Sequence, residues 1–145
     1  MLRKYWRRRR RWAETASGLT LALGLVGPAV ADSCWTHNGS LMRLGANGEK
    51  RAFVYEVPRR GLAALGVKPG DTLFWGATDG RIYRGEARVF STDCPGEKTI
   101  YAVEGPVSRN GARVTLTGER RLYRACAPTN DFVTDRLVFD YARQC

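Results

Sequence analysis

The chain contains one histidine, His37, within the run Trp35-Thr36-His37-Asn38-Gly39-Ser40. Imidazole is the side chain that most readily moves a proton near neutral pH. A serine three residues on, with an acid such as Asp93 elsewhere, suggests a hydrolase acting on envelope material. The surrounding sequence gives that idea little support. No Gly-x-Ser-x-Gly occurs, and no spacing pairs His37 with a nucleophile. The same run also reads as a turn, in which Asn38-Gly39 sets the backbone and Asn38 or Ser40 satisfies it by side-chain hydrogen bonds. A third reading makes it the lip of a binding pocket, with Trp35 as a stacking surface and His37, Asn38 and Ser40 as polar contacts. Asn38-Gly39-Ser40 also fits the N-glycosylation pattern, which matters only in a eukaryotic secretory pathway.

Other chemistry is thinner. The acids Asp71, Asp79, Asp93 and Asp131 are scattered, no Cys-x-x-Cys occurs, and one histidine makes a poor ligand set. Neither metal nor cofactor is expected. Thr92-Asp93-Cys94-Pro95 reads as a capped turn. Trp35, Phe53, Tyr55, Phe74, Trp75, Tyr83, Phe90, Tyr101 and Phe139 would either line a cavity or, as small barrels usually require, fill the core. Arg59 and Arg60, with Arg81 and Arg84, would form a basic rim or a solvated, mixed face.

The elements that must position these residues are strands. Phe53, Tyr55 and Val57 fall on one face. So do Tyr83, Gly85, Ala87 and Val89; Ala112, Val114 and Leu116; and Leu137, Phe139 and Tyr141, with polar residues between them. One apolar and one wetted face is the pattern of antiparallel sheet over a single core. Asn47-Gly48, Asp79-Gly80 and Asn110-Gly111 supply hairpin turns, and Pro69-Gly70 and Pro95-Gly96 mark two more. Gly85 and Gly118, inside strands, predict bends or close backbone approach. Residues 59–65, between Pro58 and Gly66, predict a short helical link with Leu62 and Leu65 inward. The fold class is all-β: a small antiparallel barrel or sandwich of seven or eight strands. Closure would remove the open edges that make exported sheets aggregate.

Residues 1–31 predict a cleaved secretory signal. Arg3, Lys4 and Arg7 to Arg11 precede an uncharged stretch from Ala16 to Gly27, and Ala29-Val30-Ala31 has the small-x-small form. That stretch is about 12 residues, against roughly 20 needed to span a bilayer, so no anchor is expected to remain after cleavage. The twin-arginine route fits less well than general secretion. The chain has 24 basic and 14 acidic residues, a net +10. The leader takes seven basic residues and one acidic residue, so residues 32–145 carry 17 against 13, or +4. Without the leader the charge no longer suggests nucleic acid, and no nucleic-acid motif accompanies it. Residues 32–145 make one domain. Its four cysteines, Cys34, Cys94, Cys126 and Cys145, read as two disulfides in an oxidising compartment. Cys94 and Cys126 each follow a strand end, Cys34 and Cys145 are the domain's own ends, and three pairings are open.

Four stretches stand out: His37 to Leu44 (HNGSLMRL), Tyr55 to Gly66 (YEVPRRGLAALG), Arg88-Val89-Phe90-Ser91 with Cys94, and Gly105-Pro106-Val107 with Leu116-Thr117-Gly118. In that order they resemble a family of small exported proteins of alphaproteobacteria such as rhizobia. The resemblance brings no activity or ligand. It implies a bacterial setting, periplasmic or secreted, and favours the pairing Cys94–Cys126, hence Cys34–Cys145. The expected function is a non-enzymatic binding or interaction domain. It would take a small ligand at the barrel mouth, through Trp35, His37, Asn38, Ser40, Arg59 and Arg60, or an envelope protein at the loops around His37. The alternatives are a hydrolase using His37 and Ser40, an inhibitor of a wall-degrading enzyme such as lysozyme, and a structural envelope component.

Overall fold

The computed structural model describes residues 32–94 and 99–145. The expected leader and the Pro95-Gly96 turn lie outside the described residues. The chain forms eight strands: β1 (Ser33–His37), β2 (Ser40–Asn47), β3 (Lys50–Val57), β4 (Thr72–Thr78), β5 (Ile82–Val89), β6 (Thr99–Pro106), β7 (Arg113–Arg124) and β8 (Ala127–Gln144). Each pairs antiparallel with the next, and β8 pairs back with β1 to close a barrel. The barrel form of the expected fold is the one adopted. With the last strand bound to the first, the barrel itself closes without an edge, and only the outer part of the β7–β8 hairpin projects beyond it.

The turns show how the sequence sets this path. Asn38 and Gly39 both have positive φ (45° and 79°) and join β1 to β2 in two residues. This is the geometry that Asn-Gly adopts best. The run around His37 is therefore a hairpin, and its first half is itself a strand rather than a lead-in. At the next turn Asn47 stays in β2, and Gly48 takes the first central position with φ 57°. Between β7 and β8 the two turn residues are Ala125 (φ 47°) and Cys126 (φ 63°). Left-handed backbone costs an L-residue roughly 1–2 kcal/mol, so this turn is held against local preference. Cys126 is disulfide-bonded to Cys94, and Cys34 to Cys145. The second bond ties the start of β1 to the end of β8, beside the seam that closes the barrel.

The predicted helical link is shorter than expected: one 3-10 turn, Ala63–Leu65, capped by Gly66 at φ 82°. Its neighbours Leu62 and Val67 are buried in the core, so the link folds across one end of the barrel. Gly85 does mark a close approach. A Cβ there would collide with the Trp75 carbonyl, as one at Gly118 would with the Ala102 carbonyl.

The interior is solid. Phe53, Phe74, Phe139, Met42, Leu116 and Val114 are fully buried. Phe53 and Phe139 stack face to face at 3.8 Å, and Tyr83 and Phe74 lie against them. Eight strands enclose just enough room for side chains or one small ligand, and here side chains occupy the axis. Three expectations for the apolar face need correction. Val57 is 57% exposed because a bulge after Tyr55 sets it opposite Leu41, on the outer face. Tyr141 is 43% exposed, although its ring meets Trp35 edge-on at 5.6 Å. Trp75 is on the outer face, its indole N–H donating to Glu86 at 3.0 Å.

Candidate functional site

The barrel has two unlike ends. One carries the β2–β3, β4–β5 and β6–β7 turns and the Cys34–Cys145 bond. The other, termed the mouth, gathers the Asn38-Gly39 turn, the long β3–β4 link, the β5–β6 connection and the β7–β8 hairpin. β7 and β8, of 12 and 18 residues, outrun strands of eight or fewer and carry their tip to the Cys94–Cys126 bond.

His37, Asn38, Ser40 and Arg59 meet at the mouth. His37 is buried and stacks on Phe139 at 4.7 Å. Its Nδ1–H donates to the Val138 carbonyl at 2.9 Å, and Nε2 accepts from the Asn38 amide at 3.3 Å. A carbonyl can only accept, so the proton sits on Nδ1. Ser40 Oγ accepts the Arg59 backbone N–H at 3.0 Å, which fixes the start of the β3–β4 link over the β1–β2 turn. His37 and Ser40 oppose each other in the ladder, yet each side chain hydrogen-bonds elsewhere. That geometry holds the hairpin and makes no nucleophile–base pair.

The other proposed residues fall elsewhere. Trp35 points into the core, edge-on to Phe53 at 5.7 Å, its indole N–H on Ser33 Oγ. It is packing, not a stacking surface, because β1 alternates and buries it one pleat deeper than His37. Arg60 is exposed. Arg81 and Arg84 lie at the opposite end, since β4 carries the chain across the barrel, and Arg84 is paired there with Glu104 at 3.1 Å. The four arginines therefore form no common rim.

Burial holds the His37 imidazole below its ordinary pKa of 6.5; the Val138 hydrogen bond opposes that shift, and the Arg59 charge adds to it. As pH falls below 6.5 the unfolded chain takes up the proton before the folded one. Stability is then full above 6.5 and is lost as pH drops through the folded value. Urea midpoints should fall between pH 7.5 and 5, and less so in His37→Gln. An equal fall in the variant would show that His37 is not responsible.

At the mouth lies a cavity of about 380 Å³, with an apolar part from Leu65, Val89, Phe90 and Leu122 and a polar part that includes Arg59, Arg120, Tyr123 and the Ser91-Thr92-Asp93 run. Leu65, Val89 and Phe90 are partly buried apolar side chains packed on the core. Phe90 meets the buried Tyr55 edge-on at 5.9 Å. Arg120 is neutralised by Asp135 at 2.6 Å, both side chains about one-fifth exposed. Burial, with the Asp135 carboxylate next in importance, pushes the Tyr101 phenol far above its usual range. Leu65, Val89 and Leu122 are site residues that sequence reading missed, because each lies at or near the end of its strand or helical turn and only closure of the barrel brings them together.

Two other depressions are more open to solvent. One of about 650 Å³ runs between the turns at Asp79–Ile82 and Pro106–Arg109, and another of about 640 Å³ lies on the outer face of β2, β3 and β4. Among the described residues no group of three or more His, Cys, Asp or Glu side chains is placed to hold a metal. No described helix is long and apolar enough to cross a membrane.

Fold and site together define a closed antiparallel barrel with a small, partly apolar mouth. No family model matches the chain, and no curated protein does. Among solved structures, the rhizavidin–biotin complex resembles it with a TM-score of 0.51, covering 79% of this chain and 94% of that one at 13% identity. At that identity the likeness shows a common avidin-like barrel fold.

Proposed function

We propose that this chain is an exported, non-enzymatic binding protein of the bacterial periplasm that takes a small ligand in the barrel mouth. The observation carrying this is the mouth cavity. Partly buried apolar side chains there face a space of about 380 Å³, within the size range of small-molecule sites. Its walls are fixed by the Ser40–Arg59 hydrogen bond on one side and the Cys94–Cys126 bond on the other. The shared fold with a protein solved bound to biotin supports the reading. The filled axis means that a ligand here sits at the rim and does not enter along the barrel axis. Four cysteines bonded in pairs fit an oxidising compartment.

Native mass spectrometry on protein expressed from the full chain and recovered from the periplasm tests this. The expected result is a co-purifying small molecule, or a 1:1 complex with a member of a panel of biotin and short amphiphiles. Protein that stays in the cytoplasm, or that binds nothing in the panel at millimolar concentration, would overturn it.

A further inference from the structure

The mouth has an uneven charge distribution. Among the described residues that line the cavity are two arginines, of which Arg120 is spent on Asp135. Arg59 enters no ion pair among the described residues, and its side chain is exposed. Its backbone is nevertheless fixed through Ser40, and its Cβ and Cδ come within 3.8 Å of where a Cβ on Gly39 would sit. The guanidinium charge is felt by both His37 and Tyr55, two buried side chains on the barrel's inner face. Arg59 also lines the cavity itself. Leu65, Val89, Phe90 and Leu122 supply the apolar part of the wall, and Ser91, Thr92, Thr99 and Tyr123 line the rest. Among the described residues one acid, Asp93, also borders the cavity and is exposed.

We infer that the mouth selects an amphipathic monoanion, its carboxylate or equivalent on Arg59 and its hydrocarbon body against Leu65, Val89, Phe90 and Leu122. This rests on the mouth being the binding site and adds the ligand's charge and orientation. A charge-assisted hydrogen bond at a half-enclosed site is worth about 1.4 kcal/mol, or tenfold in affinity.

The test is displacement of the neutral fluorophore N-phenyl-1-naphthylamine by three ten-carbon amphiphiles. Decanoate should displace it at about tenfold lower concentration than decanol, with decyltrimethylammonium weakest. Arg59→Gln, which keeps the backbone bond to Ser40, should bring decanoate to decanol's level and leave decanol unchanged. Arg60→Gln removes the same net charge one residue away and should keep the preference. Equal displacement by decanoate and decanol, or equal losses in the two variants, would overturn the anion assignment while mouth binding stands. Failure of all three amphiphiles to displace a bound fluorophore, or of the fluorophore to bind, would remove mouth binding and this inference together.

Discussion

Replacing Phe139 by alanine will lower the stability of the domain by about 3–5 kcal/mol, the cost of emptying a large aromatic site in a packed core. Phe139 is fully buried, stacked on Phe53 on one side and His37 on the other. It therefore joins the filled axis to the hairpin that frames the mouth. For a domain of this size the loss corresponds to a fall in Tm of roughly 10–20 °C. Phe132, 52% exposed on the long hairpin with Arg121 over its ring, is the control. Its alanine variant should stay within about 1 kcal/mol. Urea unfolding followed by tryptophan fluorescence measures both. A loss below 1 kcal/mol at Phe139 would mean that the axis is not packed as described.

The second large effect belongs to the termini. Changing Cys34 and Cys145 together to serine should destabilise by about 4–5 kcal/mol in the chain-entropy model, because the bond closes a span of 111 residues. The Cys94/Cys126 pair spans 32 residues, and its loss should cost about 1 kcal/mol less. The pairs also differ in what they hold. The first staples the β1–β8 seam, the second the long hairpin against the β5–β6 connection. Loss of the first should therefore lower the global unfolding midpoint most. Loss of the second should chiefly raise hydrogen exchange at residues 119–134. Equal exchange patterns in the two variants would contradict that division.

What the sequence disclosed and what it withheld have physical reasons. Period-two alternation in β3, β5, β7 and β8 and the Asn-Gly turns made the meander legible, since each is a local signal. β1 was hidden because Ser33–His37 is short and mixes cysteine, threonine and histidine; it is a strand because β2 and β8 flank it. The Ala125-Cys126 turn carried no glycine or asparagine to announce it, and is set by the strands and the disulfide around it. Among the candidate site residues, Asn38, Ser40 and Arg59 were readable as chemistry but not as neighbours. Leu65, Val89 and Leu122 were not readable as a site, because an apolar side chain at a strand end looks the same whether it closes a core or lines a cavity. Arg81 and Arg84 show the converse. They were read with Arg59 as one basic rim but lie at the other end of the barrel.

Amide chemical-shift mapping during a decanoate titration of ¹⁵N-labelled protein, recovered from the periplasm after expression of the full chain, asks directly where a ligand goes. Saturating shifts are predicted at Leu65, Val89, Phe90 and Leu122, with none at the Asp79–Ile82 and Ser108–Gly111 turns across the barrel. Shifts confined to those far turns, or to the outer face around Trp75, would contradict the mouth as the binding site.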